Sequence, residues 1–271
     1  MPIGRDLIHD IDQFMPAKNE MGIWWLGQHS FVLKIADKII YLDPFLSALE
    51  GRLVPPLLEA SQIHHADIIC GSHDHADHID RPVWPAMAMA AKDAKFVVPN
   101  LLRSSLARDL GITADRFVGL DDGQTADVDA VRISAVAAAH ELLDPDPVSG
   151  QYPCLGFIIE VGTWTIYHAG DTCLYEGMIA KLRRWPHDVM FLPINGRDAK
   201  RYAAGIVGNM TYQEAADLAG ILQPRWAIPA HYEMFAGNSA NPLDFVEYCQ
   251  SRYPAIKTHV CGIGERLVLS K

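Results

Sequence analysis

His73-Asp74-His75-Ala76-Asp77-His78 places three imidazoles and two carboxylates within six residues, directly after the apolar run Ala66-Asp67-Ile68-Ile69-Cys70 and the breaker Gly71. Coordinating groups at this density lose solvation when buried and need a partner, and a divalent cation satisfies several of them at once. In extended chain, residues i and i+2 point the same way. His73 and His75 can therefore share one ion, while Asp77 and His78, on the turn that follows, face a second. Three later positions repeat the design of a strand whose carboxyl end delivers a ligand: His140 after the Val131 strand, Asp171 after the Trp164 strand and His231 after the Trp226 strand. The set divides into His73, His75 and His140 around one ion and Asp77, His78 and His231 around another, with Asp171 left to bridge them. Imidazole and carboxylate suit Zn²⁺, Mn²⁺ and Fe²⁺ alike, and two such ions side by side make a hydrolytic site that needs no serine or cysteine nucleophile. Asp77 is also placed to pass a proton to the leaving oxygen. Asp43 is expected to orient a ligand imidazole from behind.

Those side chains need strands to carry them. After a polar lead-in over residues 1 to 20, the β-branched and aromatic runs Ile23 to Leu26, Phe31 to Ile35 and Ile39 to Leu42 predict an antiparallel meander ending at Asp43-Pro44. A strand over Asp67 to Cys70 leads into the histidine cluster. Helices are expected over Val83 to Lys92, with Pro82 in the first turn, and over Leu101 to Leu110, stopped by Gly111. Strand text resumes from Phe117 to Ala138, and a hairpin over Leu155 to Tyr167 turns at Gly162-Thr163. Further on, a helix over Tyr175 to Arg184, a strand from Val189 to Pro193, helices over Thr211 to Leu222 and Pro242 to Arg252, and the Trp226 strand complete an α/β pattern. With no low-complexity linker or fixed repeat in its 271 residues, the chain reads as a single domain over 1–271.

Composition narrows the partners. A net charge of -10 argues against nucleic acid and against an anionic membrane surface. No secretory leader is evident near the start and no run of about 18 uncharged apolar residues occurs. The five cysteines are odd in number and never spaced as C-x-x-C, so a reduced cytoplasmic setting is expected. The other histidines, His9, His29, His64, His65, His168, His187 and His259, read as structural or exposed.

The set His-x-His-x-Asp-His with His140, Asp171 and His231, together with the early turn Leu26-Gly27-Gln28-His29-Ser30 and the strand end Leu42-Asp43-Pro44, resembles the metallo-β-lactamase superfamily. That resemblance implies an αββα four-layer sandwich of two mixed β-sheets with outer helices. Within the superfamily, Ala139-His140-Glu141, Tyr167 to Thr172, Leu192 to Asp198, Gly208-Asn209-Met210 and His231 to Phe235 are similar to the L-ascorbate-6-phosphate lactonase branch. The branch implies a homo-oligomeric, metal-dependent lactonase acting on a phosphorylated sugar lactone. For the substrate's phosphate, Asn195 and Arg197 beyond the Val189 strand are nominated, with Arg201 and Asn209 in support; the capping box Thr211-Tyr212-Gln213-Glu214 opens a helix nearby. Two other functions compete. One is hydrolysis of a small cyclic or diester phosphate by the same two ions. The other, of a different class, is a catalytically silent metal-binding or sensing module. Redox members of the superfamily carry Glu where this chain has His75, which favours hydrolysis.

Overall fold

The computed structural model describes residues 2–271, and the chain forms two compact units: the residues up to Leu120 together with Cys261–Lys271, and Asp121–Val260. In the first unit, α1 (Gly4–Gln13) leads into β1 (Glu20–Gly27), β2 (Ser30–Ile35) and β3 (Lys38–Leu42), the expected antiparallel meander. The strands β4 (Ile68–Cys70), β5 (Lys95–Pro99) and β6 (Phe117–Leu120) extend it in parallel, with α2 (Trp84–Ala90) and α3 (Asn100–Leu110) on the connections. Gly111, at φ +64°, ends α3 in the left-handed conformation that glycine adopts without a Cβ clash. Pro82 is not in the first turn of α2 as expected. The helix starts at Trp84 and Pro85 takes its opening turn, because the amides of Val83 and Trp84 are both held by the Asp80 carbonyl just before it.

Leu7, Ile8 and Ile11 of α1 pack into a core with Trp24, Val32, Tyr41, Ile69, Trp84, Phe96 and Phe117. Lys34 holds the end of α1 by donating to the carbonyls of Ile11 and Asp12, both at 2.8 Å. Gly71, immediately before the histidine cluster, has no room for a side chain: a Cβ would lie 2.5 Å from Ile79 and 2.7 Å from the Trp84 ring. Gly71→Ala is therefore expected to lower stability by about 1–3 kcal/mol, read as a lower urea midpoint at unchanged slope.

The second unit contains β7 (Thr125–Val128), β8 (Val131–Ala137), β9 (Leu155–Val161) and β10 (Trp164–His168), joined antiparallel, followed by β11 (Val189–Pro193), β12 (Trp226–Ala230) and β13 (Lys257–Thr258) in parallel. Its helices are α4 (Met178–Leu182), α5 (Ala199–Ala203), α6 (Tyr212–Leu222) and α7 (Pro242–Arg252). The capping box of Thr211 and Glu214 is formed as expected. The helix expected from Tyr175 begins only at Met178, since Gly177 sits at φ +88° and breaks the first turn. Finally β14 (Arg266–Ser270) returns to pair antiparallel with β1.

Each unit thus holds one mixed seven-stranded sheet with helices, an α/β architecture. Strand direction decides what this achieves. Since β8 and β10 both run opposite to β9, and β10, β11 and β12 run parallel, the carboxyl ends of β8, β10 and β12 emerge at one edge of their sheet. The same holds for β1, β3 and β4 in the first sheet. Among the described residues, no helix is long and apolar enough to cross a membrane, and the five cysteines form no disulfide.

Candidate metal centre

In the first unit, the register Leu42↔Cys70 brings the ends of β3 and β4 together, and the residues just past them form a buried network around Asp43. Its backbone lies at φ +43°, a conformation that few residues other than Gly, Asn and Asp adopt. The Asp43 carboxylate accepts from the Ser72 amide (2.7 Å), the Ser72 hydroxyl (2.7 Å) and His78 Nδ1 (2.7 Å). All three residues are fully buried. A carboxylate can only accept here, so His78 carries its proton on Nδ1 and presents the Nε2 lone pair, the arrangement that metal-ligating imidazoles take. Ser72 Oγ, having donated to Asp43, accepts from His73 Nδ1 at 3.0 Å. His73 is therefore the same tautomer, with its lone pair on Nε2.

His73 and His75 do point together, with Nε2 of the first 3.0 Å from Nδ1 of the second. Two ligands with bonds of about 2.0–2.1 Å to one tetrahedral ion stand roughly 3.3 Å apart. The donor set therefore fits a borderline divalent cation. Asp74, between them, points the other way and forms a two-pronged pair with Arg81 at 2.8 and 2.7 Å. Asp77 lies with Oδ2 3.6 Å from His78 Nε2, and the same oxygen accepts from the Gln28 amide at 2.8 Å. Gln28 is buried in the turn after β1 at φ +53°. It was not singled out from the sequence, because a partner 49 residues away leaves no local pattern.

The second unit gathers its own three. Asp171 Oδ2 lies 3.0 Å from His231 Nε2 and 3.8 Å from His140 Nε2, and Asp171 and His231 are buried. His231 itself sits at φ +62°, strain that the surrounding loop must hold. Thr172 joins the strand ends: its hydroxyl accepts from the Ala139 amide (2.9 Å) and its carbonyl from the Met210 amide (2.9 Å), while the Cys173 amide donates to the Ala139 carbonyl (2.7 Å). Burial pushes the Cys173 thiol up, and those of Cys249 and Cys261 up to about 12, so none supplies a thiolate near neutral pH.

The four residues nominated for phosphate are packed against one another. Arg197 meets Glu214 with both prongs, at 2.6 and 2.8 Å, and also donates to the Asn209 carbonyl. Each of the two partners holds the other in its charged form, Glu214 below the usual carboxylate range and Arg197 above the usual guanidinium range. Arg201 donates to the carbonyls of Asn195 and Ser239. Asn195 and Asn209 are buried and bond each other at 3.1 Å, and Asn195 donates on to Asn238 at 2.7 Å. The fork of Arg197 that a phosphate would use is occupied by a carboxylate.

Known proteins match this frame. Residues 38–232 fit the family described as a beta-lactamase superfamily domain. A metal-dependent hydrolase of Pyrococcus abyssi is 31% identical over 247 residues, covering 90% of this chain and 98% of its own. Another, from Thermococcus onnurineus, is 31% identical over 223 residues, covering 82% and 88%. Among solved structures, a metallo hydrolase from Ignicoccus hospitalis superposes with a TM-score of 0.70 at 23% identity, covering 93% of this chain and 99% of that one. An isothiocyanate hydrolase from Delia radicum gut bacteria gives a TM-score of 0.71 at 18% identity, covering 92% and 100%. These two likenesses concern the fold.

Proposed function

The chain belongs to the metallo-β-lactamase superfamily and is a metal-dependent hydrolase, and from that premise we propose that it opens a lactone carbonyl, with a phosphorylated sugar lactone as substrate. The observation that carries the hydrolytic reading is the buried Asp43–His78 bond at 2.7 Å, which spends a carboxylate on aiming one imidazole nitrogen. In this proposal His73, His75 and His140 hold one divalent ion, Asp77, His78 and His231 hold a second, and Asp171 bridges. Two such ions, when bound, supply a hydroxide nucleophile near neutral pH and a Lewis acid for the charge that develops on the carbonyl oxygen.

The chain's own residues do the rest. Ser72 and Asp43 keep His73 and His78 in the coordinating tautomer. Gln28 fixes Asp77 through Oδ2, and Asp77 would take the one remaining proton of the hydroxide once it has added to the carbonyl carbon and pass it to the ring oxygen as the C–O bond breaks, leaving a carboxylate and an alcohol. The lactone preference is supported by the residue resemblance over the second half of the chain. Turnover of a sugar lactone against bis-p-nitrophenyl phosphate tests it: the lactone is expected to be the better substrate, and a faster diester would replace this reading with a phosphodiesterase.

Recognition of the phosphate rests on Arg197 exchanging Glu214 for the substrate, since a guanidinium fork serves one partner at a time. Arg197→Ala is then expected to lower kcat/KM for a phosphorylated lactone at least about 10-fold more than for its neutral counterpart. An equal loss on both would make Arg197 a brace of α6 and remove the phosphate from the substrate.

A further inference from the structure

We propose that the first unit carries an additional, solvent-facing site for a borderline transition-metal cation such as Zn²⁺, built on Asp12 and His64 and completed by His9 turning in from the same groove. With Leu7, Ile8 and Ile11 facing the core, α1 leaves His9 and Asp12 on its outer side, three residues apart and so neighbours on the helix surface. His64 comes from the turn that follows residues 60–62. The three line one open groove of about 520 Å³, together with Arg5 and Glu59.

The proton positions make two of these groups ligands in waiting. His64 Nδ1 lies 2.9 Å from the Gln62 carbonyl, which can only accept, so the proton is on Nδ1 and Nε2 bears the lone pair. That Nε2 stands 3.6 Å from Asp12 Oδ2, too far for a hydrogen bond and close to the separation of two ligands on one ion. The other Asp12 oxygen accepts from His65 Nδ1 at 2.6 Å, and His65 Nε2 accepts from the Tyr41 hydroxyl at 2.8 Å. His65 thus has both nitrogens spent and serves as an outer partner, kept neutral by burial. The result is a carboxylate and an imidazole, each oriented from behind, in the way ligands are held in metal sites.

The surrounding charge is mixed. Lys34 lies behind Asp12 with its ammonium given to two backbone carbonyls; Arg5 and Glu59 in the groove oppose each other in sign. Two imidazoles and one carboxylate favour Zn²⁺, Ni²⁺ or Cu²⁺ over Mg²⁺ or Ca²⁺. Binding would clamp the end of α1 to the 60–65 turn.

Equilibrium dialysis against micromolar Zn²⁺, counting ions per chain, tests this. The wild-type chain is expected to bind one more equivalent than the double variant His9→Ala/His64→Ala. His64→Ala alone should weaken that equivalent at least about 10-fold, while lactone turnover and the folded far-UV spectrum stay unchanged. Asp171→Asn should retain the extra equivalent, which separates this site from the hydrolytic one. Equal counts in the wild-type chain and the double variant would overturn the proposal.

Discussion

Asp171→Asn is expected to lower kcat/KM for lactone hydrolysis by about 10³-fold or more and to reduce the metal bound per chain. Losing only an outer partner of a metal ligand costs about 10- to 100-fold, and Asp171 is proposed as the ligand shared by both ions, so its loss must exceed that range. The substitution keeps the size of the side chain and removes the charge, so the fold should survive. The buried carboxylate lies within 3.0 Å of His231 Nε2 and 3.8 Å of His140 Nε2, and an amide in its place leaves two imidazoles without an anion to share. Metal analysis and steady-state kinetics on the same preparation check this. Retention of both ions with turnover within a few-fold of the wild type would remove Asp171 from the site.

The second large effect is on stability and metal affinity together. Asp43→Ala strips the acceptor from the Ser72 amide, the Ser72 hydroxyl and His78 Nδ1, all buried. Each buried donor left without its acceptor costs about 1–3 kcal/mol. His78 also loses the bond that selects its tautomer, so metal affinity should fall by about 10- to 100-fold in the protein that still folds. Chemical denaturation of the metal-free chain isolates the first effect, and competition with a chelator isolates the second. A change below about 1 kcal/mol would mean that the network around Asp43 is not holding the strand ends.

What the sequence made legible follows the range of the interactions involved. The meander β1 to β3, the Gly111 stop and the Thr211–Glu214 cap are decided by neighbours within a few residues, and their patterns are visible in the chain. The clustering of histidines and aspartates at strand ends is visible for the same reason. By contrast, Gln28, Ser72 and Thr172 act through partners brought near by sheet register, 49, 29 and 33 residues away for Asp77, Asp43 and Ala139 respectively. Residue type alone does not announce such roles. The helix α5 was also hidden: it is five residues long, inside a segment that reads as loop, and is started by Asp198 accepting from the amides of Lys200 and Arg201. Arg197 shows the opposite difficulty. An arginine near a helix cap suggests anion binding from sequence, and nothing local in the sequence shows that its fork is held by Glu214 of the chain itself.

The central claim is that hydrolysis by this chain depends on ions held by these histidines and aspartates. The most direct measurement strips the His64→Ala protein of metal with a chelator, to exclude the proposed surface ion. Zn²⁺ or Mn²⁺ is then restored stepwise while lactone turnover and ions per chain are followed together. The account predicts no turnover without metal and full turnover when two ions per chain are bound. Turnover that persists in the metal-free protein would contradict it.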